Sequence, residues 1–230
     1  MKFAFVRQNL RRSALLVVVA CTPFVSSLTA AQTSAVEREI NRVDSLDLLP
    51  IGFGRLRQDD ITLRFTLPGG LQIKAIPLDE RIIRLLSPDS YKVMVQLKES
   101  KKRAVDSIAE RTRAQRLSLW YVTFYGVEQG EARFSPQELI MQNVGRDFRP
   151  IDVLPFTSGF GENRIKQRET QSALYVFDGQ LDINQPITAR MESTVSSTDW
   201  QGVLQRVDQE RAAVRSRAGS MQKPPPGLRD

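Results

Sequence analysis

Histidine is missing from this 230-residue chain, and cysteine occurs once, at Cys21. Without histidine there can be no Ser-His-Asp triad, no histidine general base and no histidine metal ligand. Without a second cysteine the chain cannot form an intramolecular disulfide, so its stability must come from an ordinary apolar core. A hydrolase built on this sequence would need paired carboxylates or a Ser-Lys arrangement.

Long apolar runs are also missing, because charged residues interrupt every hydrophobic stretch after residue 32. The N-terminal run at residues 14–20 is much shorter than the roughly 20 residues that span a bilayer. Basic residues precede this run and small residues follow it, which is typical of a secretory signal. We therefore expect residues 1–31 to be a signal peptide. The mature chain is then exported, either periplasmic or secreted, and has no transmembrane span.

Cys21 has two interpretations within that signal. Residues 18–21 match the pattern that lipoprotein signal peptidase reads, which would leave Cys21 as a lipid attachment site on the envelope. Cleavage after Ala31 would instead discard Cys21 and release a free protein. We favour the second interpretation because the residues after Cys21 stay apolar where a lipoprotein has a polar linker. A membrane enters as a partner only if Cys21 is lipidated.

The chain has fewer acidic than basic residues, and more than half of the difference lies in the signal. The chain has 33 basic and 26 acidic residues, and four basic residues lie in residues 1–31. The mature chain therefore carries 29 basic residues against 26 acidic ones, a net charge near +3. This balance does not support a nucleic-acid partner.

The periodicity of the remaining chain predicts a mainly β protein with helices, of the α+β class. Residues 32–57 are expected to hold a short helix at 34–46 and a linker. Residues 58–192 are expected to form an antiparallel β-sandwich with an inserted helix at 88–113, which a polar stretch interrupts near Lys101. A C-terminal helix follows at 193–218, and a disordered tail at 219–230.

Alternating side chains predict individual strands within residues 58–192. A β-hairpin is expected at 61–76 around Pro68 and two glycines, and a central strand covered on both sides at 118–127. Residues 145–147 read as a turn, residues 148–155 as one strand and residues 156–167 as a long loop. The strand at 185–191 is expected at a sheet edge, because Pro186 cannot donate to a ladder.

The C-terminal helix offers the most plausible partner surface. Trp200, Leu204 and Val207 fall on one helical face, which Arg211 interrupts before the next apolar residue. Thr198 and Gln201 fit a capping box. The apolar face could bind a partner or dock on the chain's own sheet, and we expect docking.

Other chemical sites are weakly indicated. Asp178, Asp182 and Asn184 are the best oxygen-ligand cluster, but their spacing is not that of a calcium loop and fits turns stabilised by their own side chains. Lys98 and the basic residues at 101–103 could contact anionic lipid or simply face water. We expect no cofactor and no metal.

The second half of the chain resembles the secreted immunoglobulin-like domains of bacterial envelope proteins. The resemblance lies in "SLWYVTFYGV", "RFSPQELIMQ", "GRDFRPIDVLP" and "ETQSALYVFDGQLDINQPITARM", which follow the strand order of that family over about residues 117–192. It implies an immunoglobulin-like β-sandwich and no catalytic residues, and the whole chain resembles an exported bacterial protein. Two functions remain open. One is a non-enzymatic envelope module that binds a protein or glycan, and the other is a carboxylate-dependent hydrolase acting on envelope glycan.

Overall fold

The computed structural model describes residues 48–222, without the side chains of residues 161, 162, 221 and 222. These residues form a mixed α+β fold with 11 strands, all paired antiparallel, and four helices. This class is the one predicted, and it is compatible with a β-sandwich. The predicted signal peptide with Cys21 and the predicted helix at 34–46 lie outside the described residues.

The elements follow one another in this order. The strands are β1 (Leu63–Leu67), β2 (Leu71–Pro77), β3 (Leu117–Gly126), β4 (Glu131–Arg133), β5 (Ile140–Asn143), β6 (Arg146–Phe148), β7 (Asp152–Pro155), β8 (Arg164–Lys166), β9 (Thr170–Asp178), β10 (Ile187–Met191) and β11 (Thr194–Val195). The helices are α1 (Glu80–Ile83), α2 (Pro88–Ser100), α3 (Lys102–Thr112) and α4 (Trp200–Gln222). Short 3-10 turns lie at Gln58–Ile61, Pro136–Glu138 and Ser158–Glu162.

Two sheets and a small ribbon hold these strands. The larger sheet has the order β1-β2-β3-β9-β7, the second has the order β11-β10-β5-β6, and β4 pairs with β8. Buried side chains from both larger sheets and from α4 belong to one hydrophobic core. Among the described residues, no helix has both the length and the apolar character to cross a membrane.

The predicted hairpin is confirmed as β1 and β2. Leu63, Phe65 and Leu67 alternate with more exposed residues and are at most 3% exposed. The turn between the strands places Gly69 and Gly70 at φ +86° and +71°, a region that glycine enters without steric cost. One face of the hairpin is therefore buried, as its alternation requires.

The central position predicted for β3 is also confirmed, but the strand covered on both sides is its neighbour β9. Trp120, Val122 and Phe124 are fully buried, whereas Tyr125 on the other face is 37% exposed. Residues 171–177 of β9 are all buried. The continuous apolar run of β9 is what burial on both faces produces.

Three details of the strand prediction are wrong. The expected single strand at 148–155 is two strands, because β6 ends at Phe148 in one sheet and β7 begins at Asp152 in the other. The turn precedes Arg146, with Val144 and Gly145 at positive φ, and residues 146–147 belong to β6. The expected edge strand β10 lies between β11 and β5, and Pro186 precedes it.

The segment expected as a long loop at 156–167 also contains structure. It holds a 3-10 turn and β8, which pairs with β4 to form the ribbon. Both ribbon strands have only three residues, too few for alternation to identify them from sequence.

The inserted helix breaks where the polar stretch indicated. Lys101 has φ −109° and ψ 4°, which separates α2 from α3. Its ammonium lies 5.1 Å from the centre of the Phe156 ring, and Arg111 of α3 forms an ion pair with Asp152 of β7 at 3.0 Å. The helix pair is therefore attached to the larger sheet at β7.

The C-terminal helix has a different cap from the predicted one, and it begins at Trp200 and ends at Gln222, both later than the predicted 193 and 218. The Asp199 carboxylate accepts hydrogen bonds from the backbone N–H groups of Gln201 and Gly202, whereas Thr198 bonds to the backbone of β1 and its neighbour. Asp199 therefore replaces the predicted capping box. The helix runs to Gln222, through the first part of the predicted tail. Residues 223–230 of that tail lie outside the described residues.

Candidate anion-binding site

A cavity of about 340 Å³ is lined by three arginines, one asparagine and one leucine. The lining residues are Leu49, Arg81, Asn184, Arg211 and Arg215. They come from α1, from α4, from the turn between β9 and β10 and from the segment that precedes β1. We refer to this cavity as the arginine pocket.

Helix α4 supplies two of the arginines. Arg211 and Arg215 are four residues apart, so they lie on one helical face. Arg211 occupies a position on the apolar stripe, between the fully buried Val207 and Val214. Its guanidinium donates through Nη1 to Asp208 at 2.8 Å and through Nη2 to Asn184 Oδ1 at 3.2 Å. Arg215 forms no hydrogen bond or ion pair with any residue that the structure describes.

The third arginine is held by the cap of α1. The Asp79 carboxylate accepts from the Arg81 backbone N–H and, in a two-pronged contact, from Arg81 Nε at 3.0 Å and Nη2 at 2.8 Å. Burial raises the pKa of Asp79, but hydrogen bonds and positive charge from Arg81 outweigh burial and leave the pKa below its ordinary 3.8. Asp79 therefore stays ionised and holds Arg81 in place.

Hydrogen bonds from three residues, Asp182, Asn143 and Trp200, hold the turn that carries Asn184. Asp182 Oδ1 accepts from the Asn184 backbone N–H at 3.0 Å and from its side-chain amide at 3.2 Å. The buried Asn143 bonds to the backbone of Asp182. Trp200 of α4 donates its indole N–H to the carbonyl of Ile183 at 3.1 Å. These hydrogen bonds hold the Asn184 side chain in one position on the pocket wall.

The chemistry of the pocket is that of an anion receptor. Guanidinium groups remain protonated at every physiological pH, so they donate hydrogen bonds and do not transfer protons. Arg81 and Arg211 each have a carboxylate partner, and Arg215 has none in the described part of the chain. A ligand carboxylate or phosphate would give Arg215 its counter-charge.

Of the two alternatives for the apolar face of α4, the structure shows the expected docking and not a partner surface. Trp200 is 2% exposed and its ring centre lies 5.8 Å from that of Trp120, and Val207 is fully buried. Leu204 is partly buried against the core. The helix docks on its own domain through these three residues, so they are not available to a partner. Arg211, noted in the sequence only as an interruption, is one of the residues that line the pocket.

The other sequence candidates have structural roles. Asp178 and Asp182 each accept a hydrogen bond from the backbone N–H group two residues ahead. They therefore stabilise turns, which was one of their two interpretations from sequence. Lys98 pairs with Glu80 at 3.0 Å and Lys102 with Asp106 at 2.7 Å. Within residues 48–222, no three Cys, Asp or Glu side chains are grouped to hold a metal ion.

Among the side chains that the structure describes, the linings of two further cavities each contain one carboxylate and not a pair. One is lined by six residues that include Glu192 as its acid, and the other by nine residues that include Asp178. Comparison with protein-family models, with curated proteins and with solved structures finds no match for this chain.

Proposed function

We propose that this protein is an exported, non-enzymatic module of the cell envelope that binds an acidic partner through the arginine pocket. The observation that carries the proposal is the convergence of Arg81, Arg211 and Arg215 on one cavity, with Arg215 lacking a counter-charge in the described chain. The described lining residues offer donors for binding and, among themselves, no proton-transfer pair for hydrolysis.

The shape of the site favours an acidic glycan over an acidic protein. A volume of about 340 Å³ lies at the small end of the roughly 300–1,000 Å³ typical of small-ligand sites. Such a cavity fits one compact acidic unit, such as a sugar that carries a carboxylate. An acidic protein surface needs a broad basic face instead of a small concave site.

Export is supported by the basic start of the chain and the apolar run that follows. Intact mass and N-terminal sequencing of protein from the native envelope test this part of the proposal. A lipid-free chain beginning at Gln32 is the expected result. A diacylated chain beginning at Cys21 would make the protein membrane-anchored, and an uncleaved chain beginning at Met1 would contradict export by this signal.

We also propose that the two larger sheets form an immunoglobulin-like sandwich. One hydrophobic core shared by both sheets and all-antiparallel pairing support this assignment. An experimental structure tests it by showing whether the strands connect between the two sheets as Greek keys. A plain up-and-down order in both sheets would contradict it.

The binding proposal is tested with trigalacturonic acid as the acidic probe and maltotriose as the neutral one. We expect the acidic probe to bind and Arg211→Gln or Arg215→Gln to weaken it about tenfold or more, as loss of a charge-assisted hydrogen bond does. Arg103→Gln is the matched control, because Arg103 is exposed on α3 and its substitution removes the same positive charge away from the pocket. Equal weakening by the control, or equal binding of maltotriose, would contradict the proposal.

A further inference from the structure

A second cavity, of about 510 Å³, shares no lining residue with the arginine pocket. Its lining residues are Arg133, Phe134, Ser135, Asn163, Arg164 and Glu192. Phe134 is buried, so the accessible wall is mostly polar and carries both signs of charge. We refer to this cavity as the ribbon cavity, because β4 and β8 each contribute an arginine to it.

The two arginines of the ribbon cavity face each other across a strand pair. Arg133 of β4 lies directly opposite Arg164 of β8 in the antiparallel register. Like charges at directly opposite positions disfavour the pairing, because their side chains start only about 5 Å apart. Arg164 pairs with Glu131 at 3.6 Å and makes a further interaction. Arg133 forms no ion pair within the described residues.

An unpartnered carboxylate completes the wall. Glu192 lies in the turn between β10 and β11 at φ +54°, a conformation that glycine adopts more readily than glutamate. Its side chain forms no hydrogen bond or ion pair with any described residue. Asn163, also on the wall, has φ +55°, which asparagine tolerates well. The turn thus places a free carboxylate beside two guanidinium groups.

We propose that the ribbon cavity binds a short peptide with free termini. The peptide carboxylate would bind Arg133, which has no ion pair within the described residues, and the ammonium group would bind Glu192. A purely anionic ligand would leave Glu192 unpaired and repelled, and a purely cationic one would add to the charge of the arginines. The volume exceeds what one amino acid needs and lies within the range of small-ligand sites.

The test is calorimetric titration of the full chain at pH 6.5 with triglycine, N-acetyltriglycine and triglycine amide. At this pH both termini of triglycine are charged. We expect triglycine to bind about tenfold or more tightly than either blocked peptide, because each block removes one charged contact. Equal affinities for all three peptides, or no detectable binding of triglycine, would overturn the proposal.

Variants assign the two ends of the peptide. Arg133→Gln is expected to abolish the preference for a free carboxylate and Glu192→Gln the preference for a free amine, with Arg103→Gln as the control for lost charge. Glu192→Gly removes the carboxylate while easing the turn, so Tm should be unchanged or higher although amine selectivity is lost. Retained selectivity in both Glu192 variants would overturn the assignment.

Discussion

Asn143 shows how a single buried side chain positions the arginine pocket. It is 2% exposed, donates to the carbonyls of Asp182 and Pro186, and accepts from the Asp182 backbone N–H at 3.0 Å. These bonds satisfy three backbone groups of the turn that carries Asn184. Buried polar groups that lose their partners are costly, so the turn depends on this residue.

Asn143→Ala is therefore expected to lower the free energy of unfolding by about 3 kcal/mol and to weaken binding of an acidic ligand in the pocket. Urea denaturation measures the first effect and calorimetry the second. Gln142→Ala on the same strand is the control, because Gln142 is exposed. A stability change no larger than that of the control would contradict the role given to Asn143.

Asp79 makes stability depend on pH. Its pKa in the folded state is below the ordinary 3.8, so the unfolded chain binds the proton more readily. Its contribution is complete above pH 3.8 and is lost as the pH falls through the lowered folded-state pKa. Asp79→Asn should cost about 1–2 kcal/mol at pH 7, where it breaks the two-pronged contact, and less at pH 2.

Urea denaturation of both proteins at several pH values checks this expectation. The difference between wild-type protein and Asp79→Asn should shrink on acidification below the ordinary pKa of 3.8. A difference that is constant from pH 7 to pH 2 would show that the carboxylate charge at Asp79 does not stabilise the fold.

At the scale of elements, α4 is a core helix as well as part of the pocket. Trp200, Val203, Val207 and Val214 are all at most 2% exposed, and Trp200 lies against Trp120 of β3. The same helix then presents Arg211 and Arg215 to the cavity. Docking of α4 and formation of the pocket are therefore one event.

Trp200→Ala is expected to destabilise the fold by about 3–5 kcal/mol, because it leaves a large void and removes the indole bond to Ile183. Gln201 is the next residue along the helix and lies on its exposed face. Gln201→Ala should therefore change the free energy of unfolding by less than about 0.5 kcal/mol. Thermal unfolding followed by near-UV circular dichroism compares them. A Trp200→Ala protein as stable as the control would contradict burial of this helix face.

Long periodic elements could be predicted from sequence, and short ones could not. The hairpin of β1 and β2 and the strand β3 follow from alternation, and the helix break at Lys101 follows from polar interruption. β4, β6 and β8 have three residues each, and pairing across the chain decides whether such segments are strands. The change of sheet between Phe148 and Asp152 likewise depends on tertiary packing.

The arginine pocket had one signal in the sequence, and it was Arg211. An arginine between two apolar positions of a helical stripe indicates a charged group directed toward the core, which requires a partner there. Nothing in sequence spacing links Arg211 to Arg81, because 130 positions separate them and only the docking of α4 brings them to one cavity. The sequence could identify the unusual residue and not its neighbours.

For the whole molecule, the described residues give a β-rich frame with arginines gathered from distant parts of the chain. Two of the three pocket arginines already have carboxylate partners, and the third is the one that a ligand would neutralise. Binding at such a site should weaken at high salt, because part of the attraction is between exposed charges.

The most direct measurement is a titration of ¹⁵N-labelled protein with trigalacturonic acid, followed by ¹H–¹⁵N NMR. We expect shift changes on the backbone amides of Asn184, Arg211 and Arg215, and we expect Arg215→Gln to need about tenfold more ligand or more for half-saturation. Shift changes confined to other parts of the chain, or an unchanged half-saturation concentration in Arg215→Gln, would contradict the arginine pocket as the binding site.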